Sequence, residues 1–364
     1  MPLSFRRPAF IALVALQLVA PPLVARPAAA QSSSPVGGYA LVPTPVLDPH
    51  ALTAGPSLSG YVSVRETRRN DSTVNALNRA RVTVMGMPYA GLAYRIQADL
   101  SAAGRLQRDS SVAASVLTDA YVQLFHAPSP ADSASRLASL APALIVGQFR
   151  VPFSLEYLTS FSTLKAANRS LVVDRLSPRR DIGAMGQVRA TRFALVMASV
   201  TNGEGPNLPR NPDNRELVSG RAVLHPLKTL AVGGKWAGNG PDHYWGYDAR
   251  WIWRTLTLEG ETIARTGRAP SASAAPAPPR YDALGRYALA AWRALPWLEP
   301  ELKWEQFAEG TAGSARTSER CLTPGVALHG YQDRVRFHAN WIVKRTHPSA
   351  RHANELVAQL VAIF

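Results

Sequence analysis

Arginine and lysine recur at alternate positions along several short stretches of this 364-residue chain, with apolar residues between them. Arg79 and Arg81 bracket Ala80, and Arg334 and Arg336 bracket Val335. Successive side chains of an extended strand point to opposite faces, so such spacing gathers cations on one face and apolar groups on the other. The chemistry available to such a face is electrostatic: it raises the local concentration of anions and disfavours cations. The candidate anion-contacting residues are Arg79, Arg81, Arg95, Lys165, Arg169, Arg189, Arg221, Arg250, Arg334 and Arg336. Lys235, Arg254, Arg286, Lys303 and Lys344 are expected on the same face. Asp99, Asp119, Asp248, Glu259, Glu261, Glu301 and Glu305 share its parity, so many of these charges should brace one another as ion pairs. The surplus is basic, with a formal charge of +15.

Residue patterns for bond-making chemistry are missing. There is no Gly-x-Ser-x-Gly elbow, no His-Glu-x-x-His and no phosphate-binding Gly-rich loop, since Gly233-Gly234-Lys235 is a strand fragment. His347 and His352 lack a third metal ligand nearby, and the lone Cys321 can form no internal disulfide. No cofactor, metal or catalytic group is expected, and the chain reads as a non-enzyme.

The elements that must position the cations are strands of about ten residues. Tyr94, Ile96, Ala98 and Leu100 oppose Arg95, Gln97, Asp99 and Ser101, and Tyr247, Ala249, Trp251 and Trp253 oppose Asp248, Arg250 and Arg254. Sixteen such strands are expected, at 58–66, 77–86, 91–101, 115–125, 143–150, 181–190, 192–201, 216–225, 228–238, 243–253, 255–265, 282–293, 297–307, 321–329, 331–344 and 354–364. The length suits a tilted membrane strand, and an even number suits a closed all-β barrel. Connections after even strands are tight, as at His225-Pro226-Leu227, and those after odd strands are mostly long, as at 202–214. The segments 126–142 (long) and 239–242 (short) break that rule.

The chain begins with Arg6 and Arg7, an apolar run over 9–20 and Ala28-Ala29-Ala30, which reads as a cleaved signal peptide over 1–30. Its loss removes Arg6, Arg7 and Arg26, leaving 15 − 3 = +12. A flexible periplasmic lead-in is expected over 31–57 and a transmembrane antiparallel barrel over 58–364, in the bacterial outer membrane. Mean hydropathy of only -0.07 fits a barrel, whose strands bury one face in lipid and wet the other. Seven tryptophans, Trp245, Trp251, Trp253, Trp292, Trp297, Trp304 and Trp341, lie in or beside strand ends, as in an aromatic girdle.

The segment Gly147-Gln148-Phe149-Arg150-Val151-Pro152-Phe153-Ser154-Leu155-Glu156 resembles the Gly-x-Phe-Lys-x-Pro-Phe-x-Leu-Glu stretch of the phosphate-selective porin O and P family. Asn168-Arg169-Ser170, Arg179-Arg180-Asp181-Ile182-Gly183 and Asn202-Gly203 continue the likeness, while Ala166-Ala167-Asn168 stand where the family commonly carries an acidic residue. The resemblance implies a sixteen-stranded, trimeric barrel with a long third loop folded inward and basic residues at its constriction. Here that loop is 150–181, with Phe153, Leu155, Tyr157, Leu158 and Phe161 expected to pack it to the wall and Lys165 and Arg169 near the aperture. The terminal Phe364, with Ala362, Leu360, Ala358 and Leu356 on one face, resembles the signal read by the barrel assembly machinery. The expected partners are therefore outer-membrane lipid, that machinery and small anions, with a homotrimer implied and no nucleic acid. Two other readings stay open: a largely closed structural barrel, and an exported basic β-protein that binds anionic polymers.

Overall fold

The computed structural model describes residues 40–48, 52–69, 72–102, 116–126, 140–191, 193–268, 279–349 and 351–364. The expected signal peptide lies outside the described residues. So does most of the 126–142 connection.

Sixteen antiparallel strands close into one barrel, each paired with its sequence neighbour and the last with the first. They are β1 (Ser57–Arg69), β2 (Ser72–Tyr89), β3 (Leu92–Asp99), β4 (Leu117–Phe125), β5 (Ala143–Arg150), β6 (Arg180–Thr191), β7 (Ala194–Thr201) and β8 (Leu217–Leu227). The second half comprises β9 (Leu230–Asn239), β10 (Asp242–Trp253), β11 (Leu256–Arg268), β12 (Arg280–Trp292), β13 (Leu298–Thr311), β14 (Thr317–Gly330), β15 (Val335–His347) and β16 (Arg351–Ile363). Closure runs from Tyr61 opposite Ile363 to Arg69 opposite Glu355, and Gly60 and Phe364 exchange both backbone hydrogen bonds at 2.9 and 3.0 Å. A closed ladder leaves no edge, the condition for strands to sit in hydrocarbon.

Alternation sorts the two faces. On β8, Val218 and Leu224 are exposed outward while Ser219, Arg221 and Val223 are buried inward. On β10, Trp245, Tyr247 and Trp253 are exposed while Asp248 and Arg250 are buried. The apolar exterior is thus the bilayer face, and the charges lie inside. No helix of the described residues is long and apolar enough to cross a membrane.

Several strands outrun their expected ends. β1 and β2 continue to Arg69 and from Ser72, β13 and β14 to Thr311 and from Thr317, and β15 and β16 to His347 and from Arg351. Alternating hydropathy stops where the bilayer stops, but a backbone ladder needs no apolar side chain to continue into water.

Some basic residues expected inside lie elsewhere. Arg286 shares the outward face of β12 with the exposed Leu284 and Trp292, because Tyr281, Ala283, Tyr287 and Leu289 hold the inward positions. Local alternation there reads either way, since both faces of β12 are largely apolar. A lipid-facing arginine costs about 2–4 kcal/mol near the bilayer midplane, so Arg286 needs a reason to be there. Arg254 sits in the β10–β11 turn at φ 52°, with its guanidinium over the Trp253 ring at 5.0 Å.

The expected lead-in is not all free of the barrel. Leu47 exchanges hydrogen bonds with the Gln123 side chain of β4 at 2.7 and 2.9 Å, and the Tyr121 hydroxyl donates to the Pro45 carbonyl at 2.7 Å. Leu41 and Val42 pack against Met197, Val223 and Ala231 on inward faces of β7 to β9. Residues 40–48 therefore run along the inner wall, which the Ser-, Pro- and Gly-rich composition of 31–56 as a whole does not announce.

Candidate functional site

The connection between β5 and β6 spans 151–179 and crosses the interior. Gly147 prepares its start: at φ +131° a Cβ there would meet the Ala120 carbonyl oxygen at 2.3 Å, so only glycine lets β5 bend against β4. Helix α1 (Leu155–Leu158) follows, capped by Ser154, whose hydroxyl accepts from the Tyr157 N–H at 3.1 Å. A single 3-10 turn at Phe161–Thr163 and helix α2 (Leu171–Leu176) complete the loop.

This loop touches inward faces around much of the circumference, which is possible only through the lumen. Arg221 of β8 donates to the Phe153 carbonyl at 2.8 Å, and Glu261 of β11 accepts from the Ser154 hydroxyl at 3.0 Å and the Glu156 N–H at 3.2 Å. Lys303 of β13 donates to the Asn168 carbonyl at 2.9 Å, Asn340 of β15 accepts from the Ala167 N–H at 2.9 Å, and Arg65 of β1 donates to the Ala167 carbonyl at 2.7 Å. Phe153, Tyr157, Val172, Val173 and Leu176 join Ile263, Tyr287, Leu289 and Phe307 in the largest apolar cluster. Fully burying each such side chain contributes roughly 1.5–3 kcal/mol, enough to hold a loop of this length to a wall. Gly285 of β12 makes room for α2, since a Cβ there would meet the Val172 Cγ2 at 2.5 Å. Burial pushes the Glu156 carboxyl up to about 8, against the opposing pull of Lys303.

The candidate cations divide by position. On β8 to β11, Arg221 and Lys235 share Asp248 at 2.5 and 2.8 Å, Lys235 also meets Glu261 at 2.5 Å, and Arg250 pairs with Glu259 at 2.7 Å. The Arg221, Lys235 and Arg250 side chains have 0% exposure, sealed under the loop. Arg250 also donates to the Ala40 carbonyl at 2.5 Å and the Thr159 hydroxyl at 2.9 Å. These residues fasten loop and wall and do not meet open water.

On β2 to β4, Arg79 and Arg81 share Asp99 at 3.7 and 3.0 Å, and Arg95 and Arg180 share Asp119 at 3.1 and 2.6 Å. Arg79 and Arg95 keep 28% and 20% of their side chains exposed. Arg79 lies over the Phe161 ring at 5.2 Å. Arg169 stacks over Tyr157 at 4.9 Å and donates to the Thr159 carbonyl at 2.9 Å. Arg65, Arg79, Arg81, Arg95, Arg150, Arg169 and Arg180 thus meet on one side of the interior around Asp99 and Asp119.

Lys165 is not beside Arg169's stack; it pairs with Glu299 of β13 at 2.9 Å. Arg336 donates to the Ser162 carbonyl at 3.2 Å, holding the loop on the β15 side. Arg189 and Arg334 are exposed, near the end of β6 and in the β14–β15 turn, away from the cluster. Arg65 joins the cluster from outside the expected set, although it shares the parity of Tyr61 and Ser63 against Val62 and Val64, a signal the sequence carries. Arg150 and Arg180 flank the loop and read as loop charges in sequence.

Between the loop and residues 40–48 lies a cavity of about 420 Å³. Its lining includes Arg95, Asp119, Tyr121 and Arg150 from the wall, Thr159, Ser160 and Thr163 from the loop, and Thr44 and Asp48 from the N-terminal segment. Among the described residues no group of His, Cys, Asp and Glu could hold a metal ion.

The family model of phosphate-selective porin O and P matches residues 60–233, the span that carries the β5 motif, the interior loop and the arginine-rich wall. Over this span, just under half of its length, the chain is similar to that family. As a porin it is a channel protein of the outer membrane and not an enzyme. Solved porins share its fold at low identity. OmpT of Vibrio cholerae, in a trimer form, aligns with a TM-score of 0.61 and 10% identity, covering 85% of this chain and 99% of that one. An anion-selective porin from Comamonas acidovorans gives 0.60 and 10%, covering 85% and 99%. The channel DcaP of Acinetobacter baumannii gives 0.55 and 9%, covering 85% and 97%. No curated protein matches the sequence.

Proposed function

We propose that this porin passes small anions, inorganic phosphate among them, along the arginine-rich side of its interior, with loop 151–179 narrowing the path. The carrying observation is the imbalance on that side: Asp99 and Asp119 each take two guanidiniums, while Arg169 is held by rings and carbonyls. Guanidinium groups fixed by stacking and by carbonyls keep their charge available to a passing anion. Arg79 and Arg95, both part-exposed, serve as the contact residues, with Arg65, Arg150 and Arg169 setting the potential around them. Arg221 and Arg250 act as anchors in this reading, and Arg189 and Arg334 bias the periplasmic mouth. A cleaved signal peptide delivers the chain, the Phe364 strand is read at assembly, and the barrel works as a homotrimer, as the OmpT trimer form and the family both suggest.

The test is the reversal potential of the purified protein in a planar bilayer under a chloride gradient, repeated with phosphate added. Anion preference, with chloride current reduced by phosphate, is expected. Cation preference in the native protein, or no conductance at all, overturns the reading and favours a closed structural barrel. Arg79→Glu with Arg95→Glu should shift the reversal potential toward cations.

A further inference from the structure

The outer wall carries a cationic row for which the pore has no use. Arg286 of β12 stands opposite Gln306 of β13, Gln306 opposite Arg320 of β14, and Arg320 opposite Arg345 of β15. All four point outward, in alternation with the exposed Leu284, Trp304, Leu322 and Trp341. The Gln306 Oε1 accepts from Arg286 Nε at 3.1 Å and Nη2 at 2.7 Å, and the same guanidinium lies over the Trp304 ring at 5.6 Å. Arg320 and Arg345 are exposed, and neither makes an ion pair among the described residues. Like charges directly across a ladder repel, so the Arg320–Arg345 pair is unfavourable unless something anionic bridges it.

The chain's own outer wall supplies no such group. Of the described strand residues that face outward, Glu66 and Asp282 are the carboxylates, and each is taken by an arginine on its own strand, Arg68 at 2.6 Å and Arg280 at 3.4 Å. A second copy docking on this face by a twofold axis would bring arginines against arginines.

The height of the row identifies a better occupant. It climbs from the middle of β12 to two positions before the end of β15, on the side of the long external loops. Directly beneath it lie Trp304, Leu322, Val343 and Trp341, an apolar wall with two indoles. Phosphate above and hydrocarbon below is the profile of an outer-leaflet anionic lipid. Arginine recognises phosphate through paired, charge-assisted hydrogen bonds.

We propose that Arg286, Gln306, Arg320 and Arg345 form a binding site for the phosphate groups of an outer-leaflet lipid, whose acyl chains lie along Trp304, Leu322 and Trp341. This site is separate from the pore and stands whether or not the channel prefers anions.

The experiment is native mass spectrometry of the whole protein with bis-phosphorylated lipid A, against the same lipid stripped of both phosphates. Removing the phosphates should lower the bound fraction about tenfold, and Arg320→Gln with Arg345→Gln should do the same to the phosphorylated lipid. Heat-modifiable gel mobility and native single-channel conductance verify that the double variant is folded. Equal retention of both lipids, or undiminished binding by the folded double variant, overturns the proposal. So does a variant that keeps the lipid while its oligomer falls apart, which would assign the row to contact between copies.

Discussion

The two sides of the interior use the same residue types to opposite ends. On β8 to β11 the cations and carboxylates are matched: Arg221, Lys235 and Arg250 meet Asp248, Glu259 and Glu261, and none of these three cations is exposed to water. On β2 to β4 each aspartate serves two arginines, and Arg79 and Arg95 remain part-exposed. Charge under cover becomes structure, because an ion pair out of water is held by the cost of leaving either partner alone. Charge in surplus beside water becomes a field that a solute can feel. Sequence alternation gives both sides the same signature, and the loop decides which is which.

The comparison breaks most sharply at Asp248. Asp248→Ala leaves Arg221 and Lys235 buried with one carboxylate fewer, an expected loss of about 3–5 kcal/mol. Lowered heat resistance of the folded form on gels, with larger or noisier single-channel conductance, is the expected readout. An unchanged melting transition would mean that side is not a fastening. Next comes Gly285→Ala, which drives a methyl group into Val172 and should cost about 1–3 kcal/mol while loosening α2. Limited proteolysis within 151–179, faster than in the native protein, checks it.

Asp99→Asn probes the opposite side. Arg79 and Arg81 lose their shared partner but Arg79 can still reach water, so stability should change far less than at Asp248. Anion preference should rise, read as a larger reversal potential; a stability loss equal to that of Asp248→Ala would erase the distinction. The smallest effect is expected from raising the pH by a single unit, about 1.4 kcal/mol at most. The Glu156 carboxyl, ordinarily near 4.5, is raised to about 8 in the folded protein, so the folded state holds a proton that the unfolded state has released between those values. Its contribution to stability is complete below pH 4.5 and declines as pH rises to 8. Glu156→Gln should flatten that slope in thermal melts.

The sixteen strands and their facing were legible because lipid and water impose a strict two-residue period on every wall residue. The period fails where the environment does not alternate: at β12, apolar on both faces, alternation puts Arg286 inward although it faces out, and beyond the bilayer the ladders run on unannounced. The cluster was half legible. Parity put Arg79, Arg81 and Arg95 inside, but parity says nothing of cover, so Arg221 and Arg250 could not be told from open pore residues. Cover comes from 151–179 and 40–48, whose contacts lie far away in sequence, as with Ser154 and Glu261 or Leu47 and Gln123.

Arg250 joins three pieces of chain that share no strand: Glu259 on the neighbouring hairpin arm, Thr159 in the loop and Ala40 in the N-terminal segment. A tug on any of them is therefore felt by the other two through one rigid planar group. Whatever pulls residues 40–48 therefore also pulls on the loop that bounds the cavity, so the shape of that cavity is tied to where the N-terminal segment lies.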